Sequence, residues 1–368
     1  MKTKRKITKT IVLVILAIII MPFQVFAEKN LEPVTTLGFS DVKPLVMARY
    51  QVILNNIAAY NNTNNAQGNI QTGTTNINDL LVALAGINSA DADITSLKGV
   101  VAGLLQAQAN IAVAQNSMAQ STSITDIGIQ TEQGNYSIVW NMESMYITYN
   151  SLSHQIIEME AKKPLLEGQV KAAQLQRKLG MITDAGVESA ISQLEELKTG
   201  IEQLEVAQDA IRQTFNVNLA QDYDTEIDIQ EVPDVKAETI AAIQPDSDYT
   251  EALKKSYTVR LNDNDIDKEN DAKRNFKKSF YSLHQTILDK QKALDLEKTK
   301  FSVAEKNFKA SELKYKLGLL SKVQYQLEYS NYISKKMSLA KAGDSLFQAF
   351  RAYEWAKQGL IVSATSGS

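Results

Sequence analysis

The sequence predicts an all-α fold of long antiparallel helical hairpins, of the coiled-coil or α-barrel type, duplicated within one chain and joined by a short mixed connector. Three observations predict it. A nine-residue stretch recurs 138 residues apart, as Leu175-Gln-Arg-Lys-Leu-Gly180-Met-Ile-Thr183 and Leu313-Lys-Tyr-Lys-Leu-Gly318-Leu-Leu-Ser321. Helix breakers are scarce: no Pro follows Pro245, and no Gly lies between Ile201 and Leu317. Since Pro costs about 3 kcal/mol and Gly about 1 kcal/mol inside a helix, such stretches favour long helices. Finally, Phe280, Ile287, Leu294, Phe301, Phe308 and Tyr315 are seven apart, as are Tyr325, Tyr332, Leu339, Leu346 and Tyr353 beyond the second glycine. A sustained seven-residue apolar repeat makes neighbouring helices coil together.

Read in order, the chain begins with a basic leader (Lys2, Lys4, Arg5, Lys6, Lys9), an apolar run from Ile11 to Met21 and a small-residue site at Val25-Phe26-Ala27. This pattern predicts a signal peptide over 1–27, cut between Ala27 and Glu28. The apolar run is shorter than the roughly 20 residues that span a bilayer, and Pro22 interrupts it. Loss of the leader takes net charge from -3 to -8, with 34 basic against 42 acidic residues. An acidic chain without a basic stripe is a poor nucleic-acid binder. The absence of Cys excludes disulfides, thiolate metal sites and a lipidated N-terminal Cys.

Residues 28–135 are expected to be an N-terminal helical segment, with an Asn/Thr/Gly-rich loop at about 61–78. The stretch from Asp79 to Ser123 is Ala-, Leu- and Gln-rich, and no charge falls between Gly99 and Thr125. The first helical hairpin repeat is expected over 136–217. Met142, Tyr149, Ile156 and Val170 mark its rising arm, Val187, Leu194 and Ile201 its falling arm. Pro164 should kink the rising helix by removing one backbone bond and crowding the preceding turn. A connector follows over 218–249, in which the alternation Asp224-Thr-Glu-Ile-Asp-Ile predicts a short strand. The second repeat occupies 250–360, with a disordered tail over 361–368. At 1.5 Å per residue its rising arm, Phe276 to Leu317, would be roughly 60 Å long.

Both turns carry matching chemistry. Gly180 and Gly318 suit the left-handed residue that ends a helix, and Thr183 and Ser321 suit the N-cap of the next. Ser321 has Gln324 three residues on, a capping-box pattern, whereas Thr183 has Gly186 and no such partner. The pairs Met181-Ile182 and Leu319-Leu320 place apolar side chains at the tips, which is unfavourable in water unless something docks there. On the falling arm of the second repeat, Ile333, Ala340 and Phe347 make a second apolar stripe, about 100° round from the first. That stripe fits either a broader core within the chain or one wall of a ring of helices.

The residues resemble the TolC-type outer-membrane efflux protein family. The resemblance is carried by Lys178-Leu-Gly-Met-Ile-Thr183 and Lys316-Leu-Gly-Leu-Leu-Ser321, by the run Thr214 to Pro233, and by Tyr249-Thr-Glu-Ala-Leu-Lys-Lys-Ser-Tyr. It covers about residues 136 to 360. It implies an internally duplicated chain whose hairpins assemble as a homotrimer into a tunnel for passive passage of cargo. The implied partners are a periplasmic-adaptor-type (membrane fusion) protein and an export pump. The adaptor would meet the tips Leu179, Gly180, Met181, Ile182 and Thr183, and Leu317, Gly318, Leu319, Leu320 and Ser321. Two departures stand out. The second repeat has no room for the strands that build the family's membrane barrel, so the barrel is expected to be missing. The family's tunnel-lining acid, six residues after each turn glycine, is replaced by Gly186 and Gln324. The expected location is the cell envelope: the outer membrane by resemblance, the cell surface if the barrel is absent.

No catalytic constellation competes with this reading, and no cofactor or metal is expected. The only histidines, His154 and His284, lie on helical arms as surface or seam residues. Asp263-Asn-Asp265-Ile-Asp267 begins like a calcium loop but has Lys268 where Gly is needed and Arg274 where Glu is needed. Trp140 and Trp355 read as core residues. An alternative function is a secreted helical pore-forming toxin or a cell-surface interaction protein, motivated by the uncharged Gly99–Thr125 segment.

Overall fold

Four helices of 55, 35, 51 and 36 residues dominate the computed structural model, which describes residues 31–61 and 124–362. In chain order the elements are β1 (Thr36–Leu37), α1 (Phe39–Arg49), α2 (Gln51–Asn61), α3 (Ile124–Lys178), α4 (Asp184–Asn218), β2 (Asp228–Ile229), α5 (Ala237–Ala241), α6 (Pro245–Lys255), α7 (Tyr257–Arg260), α8 (Ile266–Lys316) and α9 (Lys322–Lys357). Helices α3 and α4 form the first hairpin, α8 and α9 the second. The fold is therefore all-α, as the heptads predict. Helix α3 starts twelve residues before the expected 136.

The second hairpin follows the heptad pattern directly. Phe308 stacks on Tyr332 with centroids 4.8 Å apart, Phe301 lies 5.6 Å from Tyr332, and Phe280 lies 5.0 Å from Tyr353. In the first hairpin, Leu194, Ile201, Leu204 and Ile211 are buried, and Gln208 donates to the Tyr149 carbonyl across the seam (3.4 Å). Pro164 does not end α3, which runs through it with the ring exposed to solvent.

Helices α3 and α9 join the two hairpins. Ser334 and Lys341 donate to Glu158 at 3.0 and 3.1 Å. Ala161, Ile333 and Met337 form a small buried cluster, and His154 pairs with Asp344 at 3.2 Å. Phe347 meets Phe39 edge to face at 4.6 Å. The second stripe of α9 is thus covered within the chain, which decides for the broader core. His154 is a seam residue, and both tryptophans are buried.

The pairings α4·α3, α3·α9 and α9·α8 are extensive, and no comparable seam joins α4 to α8. The four long helices form an open row, α4–α3–α9–α8, alternating up and down.

The short elements close the root of the row, opposite the tips. β1 and β2 pair in parallel, Thr36 with Asp228 and Leu37 with Ile229. The expected strand at 224–229 is thus only its last two residues, and its partner lies in the N-terminal segment. Tyr146 Oη donates to the Gln230 carbonyl at 2.6 Å, and Asn150 Nδ2 to the same oxygen at 3.1 Å. Asp265 caps α8, its Oδ1 accepting from Asp267 and Lys268 N–H at 3.2 Å; the incomplete calcium pattern is a helix cap. A turn of five residues separates α7 from α8, so this stretch holds no strand pair. Val362 is buried, so the chain beyond the second hairpin is packed at least to that point. Residues 363–368 lie outside the described residues, as do Ala27, Glu28, the loop at 62–78 and nearly all of the uncharged 99–125 segment.

Candidate docking site at the hairpin tips

The two tips have the same backbone. Gly180 and Gly318 both adopt φ +72, in the region that L side chains disfavour. Gly180 N–H donates to the Arg177 carbonyl (3.0 Å) and Met181 N–H to the Gln176 carbonyl (2.8 Å). Gly318 N–H donates to Tyr315 (3.0 Å) and Leu319 N–H to Lys314 (2.8 Å). These are paired Schellman bonds, which satisfy the carbonyls left over at a helix end.

What braces each turn differs. In the second, Ser321 Oγ accepts from Gln324 N–H and Gln324 Oε1 accepts from Ser321 N–H, completing the expected capping box. Tyr315 and Tyr325 also stack across this turn, 4.5 Å apart. In the first, Thr183 is the N-cap but its side chain makes no cap bond. Arg177 bridges that turn instead, with Nε and Nη2 on Asp184 at 2.5 and 2.8 Å. The guanidinium hydrogen bond holds the Asp184 carboxyl below its ordinary range, against partial desolvation. Residues 177 and 184 stand three and four residues from Gly180, so opposite charges at this spacing can meet across the turn.

Leu179, Met181, Leu317 and Leu319 are between 64% and 72% exposed. Ile182 and Leu320 are half-buried, Ile182 packing over Gly186. Four large apolar side chains therefore face solvent at two small turns. The antiparallel α3·α9 seam brings both turns to one end of the row. Gly168 lies against Val323 and Gln326, so α3 continues past the start of α9 and the first tip projects roughly 10 Å beyond the second. Gly186 and Gln324, at the positions of the resembled family's tunnel acid, serve the turns themselves.

At the root, a groove of about 610 Å³ is bordered by Phe39, Lys43, Pro233, Phe347 and Arg351. Its charged groups are already engaged: Arg351 holds Glu143 at 2.8 Å, and Lys43 donates to Gln358 while lying 4.5 Å over the Tyr136 and Trp355 rings. Among the described residues no group of three or more His, Asp or Glu could hold a metal ion, and no helix is long and apolar enough to cross a membrane.

Neither a family model nor a curated protein sequence matches the chain. Solved structures do. The outer membrane protein VceC from Vibrio cholerae superposes with a TM-score of 0.50 at 9% identity, over 88% of this chain and 97% of that one. CusC, whose structures concern folding and transmembrane channel formation, gives 0.47 at 10% identity, over 77% and 96%. The outer-membrane channel OprN gives 0.46 at 10% identity, over 87% and 90%. The chain has the fold of VceC.

Proposed function

We propose that this protein is a divergent TolC-type conduit component, exported to the cell envelope and non-catalytic. In this reading three copies assemble into a helical tube, and cargo moves through it passively while a membrane pump supplies the energy. An adaptor protein of the membrane-fusion type docks on the tips. One observation carries the reading: Leu179, Met181, Leu317 and Leu319 are exposed together at one end of an open helical row. Exposed apolar clusters on a soluble surface mark a docking site. The fold shared with an outer membrane protein supports it, as does the row's lack of a closing seam, which suits a wall segment better than a closed bundle.

The test combines the oligomeric state of the purified protein, measured without detergent, with site-specific crosslinking at Met181 and Leu319 in the producing cell. The reading requires an oligomer and one envelope protein captured at both positions. A monomer that captures nothing at either tip contradicts it.

A further inference from the structure

We propose that the groove at the root binds a free single-chain carboxylate, its apolar tail lying along α1 and α9 and its head meeting Lys43 and Arg351. The inference is independent of the conduit reading and concerns the end of the molecule opposite the tips.

The walls follow from helical spacing. Phe39 and Lys43 are four apart on α1, and Phe347, Phe350 and Arg351 stand at i, i+3 and i+4 on α9, so each set shares one face of its helix. Pro44 on α1 and Pro233, after β2, complete the apolar lining. Phe347 is buried, but Phe350 is only half-buried and both prolines are exposed, which leaves apolar surface for a chain of methylenes. The groove holds about 610 Å³, inside the range of roughly 300–1,000 Å³ that small-molecule sites occupy. A mostly apolar cleft with a few converging polar groups is the form such sites take.

The polar groups that converge there call for an anion. Glu143 is buried and both its oxygens are occupied by Arg351 and Trp355. Glu231, the other lining acid, is exposed to water, where screening weakens it. Engaged as they are, both cations keep donors. Arg351 uses Nε and Nη2, and among the described residues its Nη1 makes no hydrogen bond. Lys43 Nζ donates once, to the neutral Gln358 at 3.2 Å, which leaves two of its three donors. It lies 4.5 Å over both the Tyr136 and Trp355 rings. Ring faces attract a cation without supplying a counter-charge. Burial holds the Lys43 ammonium below its usual range, outweighing the pull of Glu143 and Glu132, and Arg351 pushes the same way.

A charged group kept partly out of water without its own counter-ion carries a desolvation cost. A bound carboxylate offsets that cost and accepts the free hydrogens. Lys43 and Arg351 both lie against the Trp355 ring, at 4.5 and 6.0 Å from its centroid, so one head group feels both charges. An alcohol head leaves Lys43 uncompensated, and an ammonium head brings a third cation to the same place. The groove therefore selects by head charge, while the apolar walls bind the tail whatever its head.

Calorimetric titration of the purified protein with dodecanoate, dodecanol and dodecylamine, each below its micellar range, tests the site. Dodecanoate should bind at one molecule per chain, and the other two roughly tenfold or more weakly, the loss expected with a charge-assisted hydrogen bond. Lys43→Met, which keeps the stem and removes the charge, should weaken dodecanoate by about tenfold, and Lys43→Arg should retain it. In Trp140→Phe the sole remaining tryptophan is Trp355, whose emission should shift with the same midpoint. Dodecanol binding as tightly as dodecanoate overturns the proposal, and so does a silent Trp355. The head-group series uses the unsubstituted chain, so it decides even where Lys43→Met folds poorly. Flotation on phosphatidylglycerol vesicles with no response to dodecanoate would assign the groove to a bilayer surface and also overturn it. Each of these failures leaves the conduit reading standing.

Discussion

Arg351 grips Glu143 with two hydrogen bonds, from Nη2 at 2.8 Å and Nε at 3.3 Å, although 208 residues separate them. Glu143 is 1% exposed, and Trp355 Nε1 donates to its Oε2 at 2.8 Å, so both oxygens are occupied. This buried carboxylate locks the root of α9 to α3 and fixes which faces of the hairpins meet. Removing one partner of such a pair leaves the other charge uncompensated. Glu143→Ala should therefore lose about 3 kcal/mol of stability, read as a lowered urea midpoint.

The glycine turns make a second test. No atom would lie within 4 Å of a Cβ added at Gly180 or Gly318, so substitution meets no clash and only the backbone at φ +72 resists. Gly180→Ala and Gly318→Ala should each destabilise by about 1–2 kcal/mol, the penalty for a left-handed L residue. Equal losses by thermal unfolding confirm equivalent turns; a larger loss at one site would mean unequal strain.

Helix caps separate the two tips. Ser321→Ala removes a side-chain acceptor in use and should cost about 1 kcal/mol. Thr183→Ala removes a hydroxyl that makes no cap bond, and its unfolding curve should barely move.

Acid weakens the α3·α9 seam in a calculable direction. Burial works to raise the Glu158 carboxyl, but Lys341, Lys162 and the Ser334 hydroxyl outweigh it and hold the group below its ordinary 4.5. A carboxyl depressed by folding stabilises the folded state fully above its unfolded value, and that contribution is lost as pH falls through the folded value. Glu158→Gln should therefore lower stability at neutral pH. The gap to the parent should close progressively as the pH drops below about 4.5. Unfolding midpoints measured across pH 3–7 in the two proteins check this window; a gap independent of pH would show that Glu158 acts only through packing.

The hairpins and turns were legible because their determinants are local. A seven-residue repeat states which face of Phe301 and Phe308 is buried, and a glycine followed by Ser and Gln states a turn and a cap. The row's assembly was not legible. That α3 meets α9 depends on Glu143 finding Arg351 and Glu158 finding Lys341, pairs of scattered charges with no periodicity. The same holds for β1 and β2, since two-residue strands are too short to alternate. The second stripe on α9 showed that a further neighbour exists without saying whether it belongs to this chain. The stretch from Asp263 shows the reverse limit, where residue types that suit a metal loop serve a helix N-terminus.

The docking reading requires the two tips to lie at one end of the molecule. The chain has no cysteine, so Met181→Cys and Leu319→Cys in one protein accept spin labels at those sites alone, and dilution with unlabelled protein isolates the distance within a chain. With two helix spacings between the tips and a small axial offset, the separation should be below roughly 30 Å. A distance beyond roughly 60 Å, the reach of one arm, would place the tips at opposite ends and contradict the account.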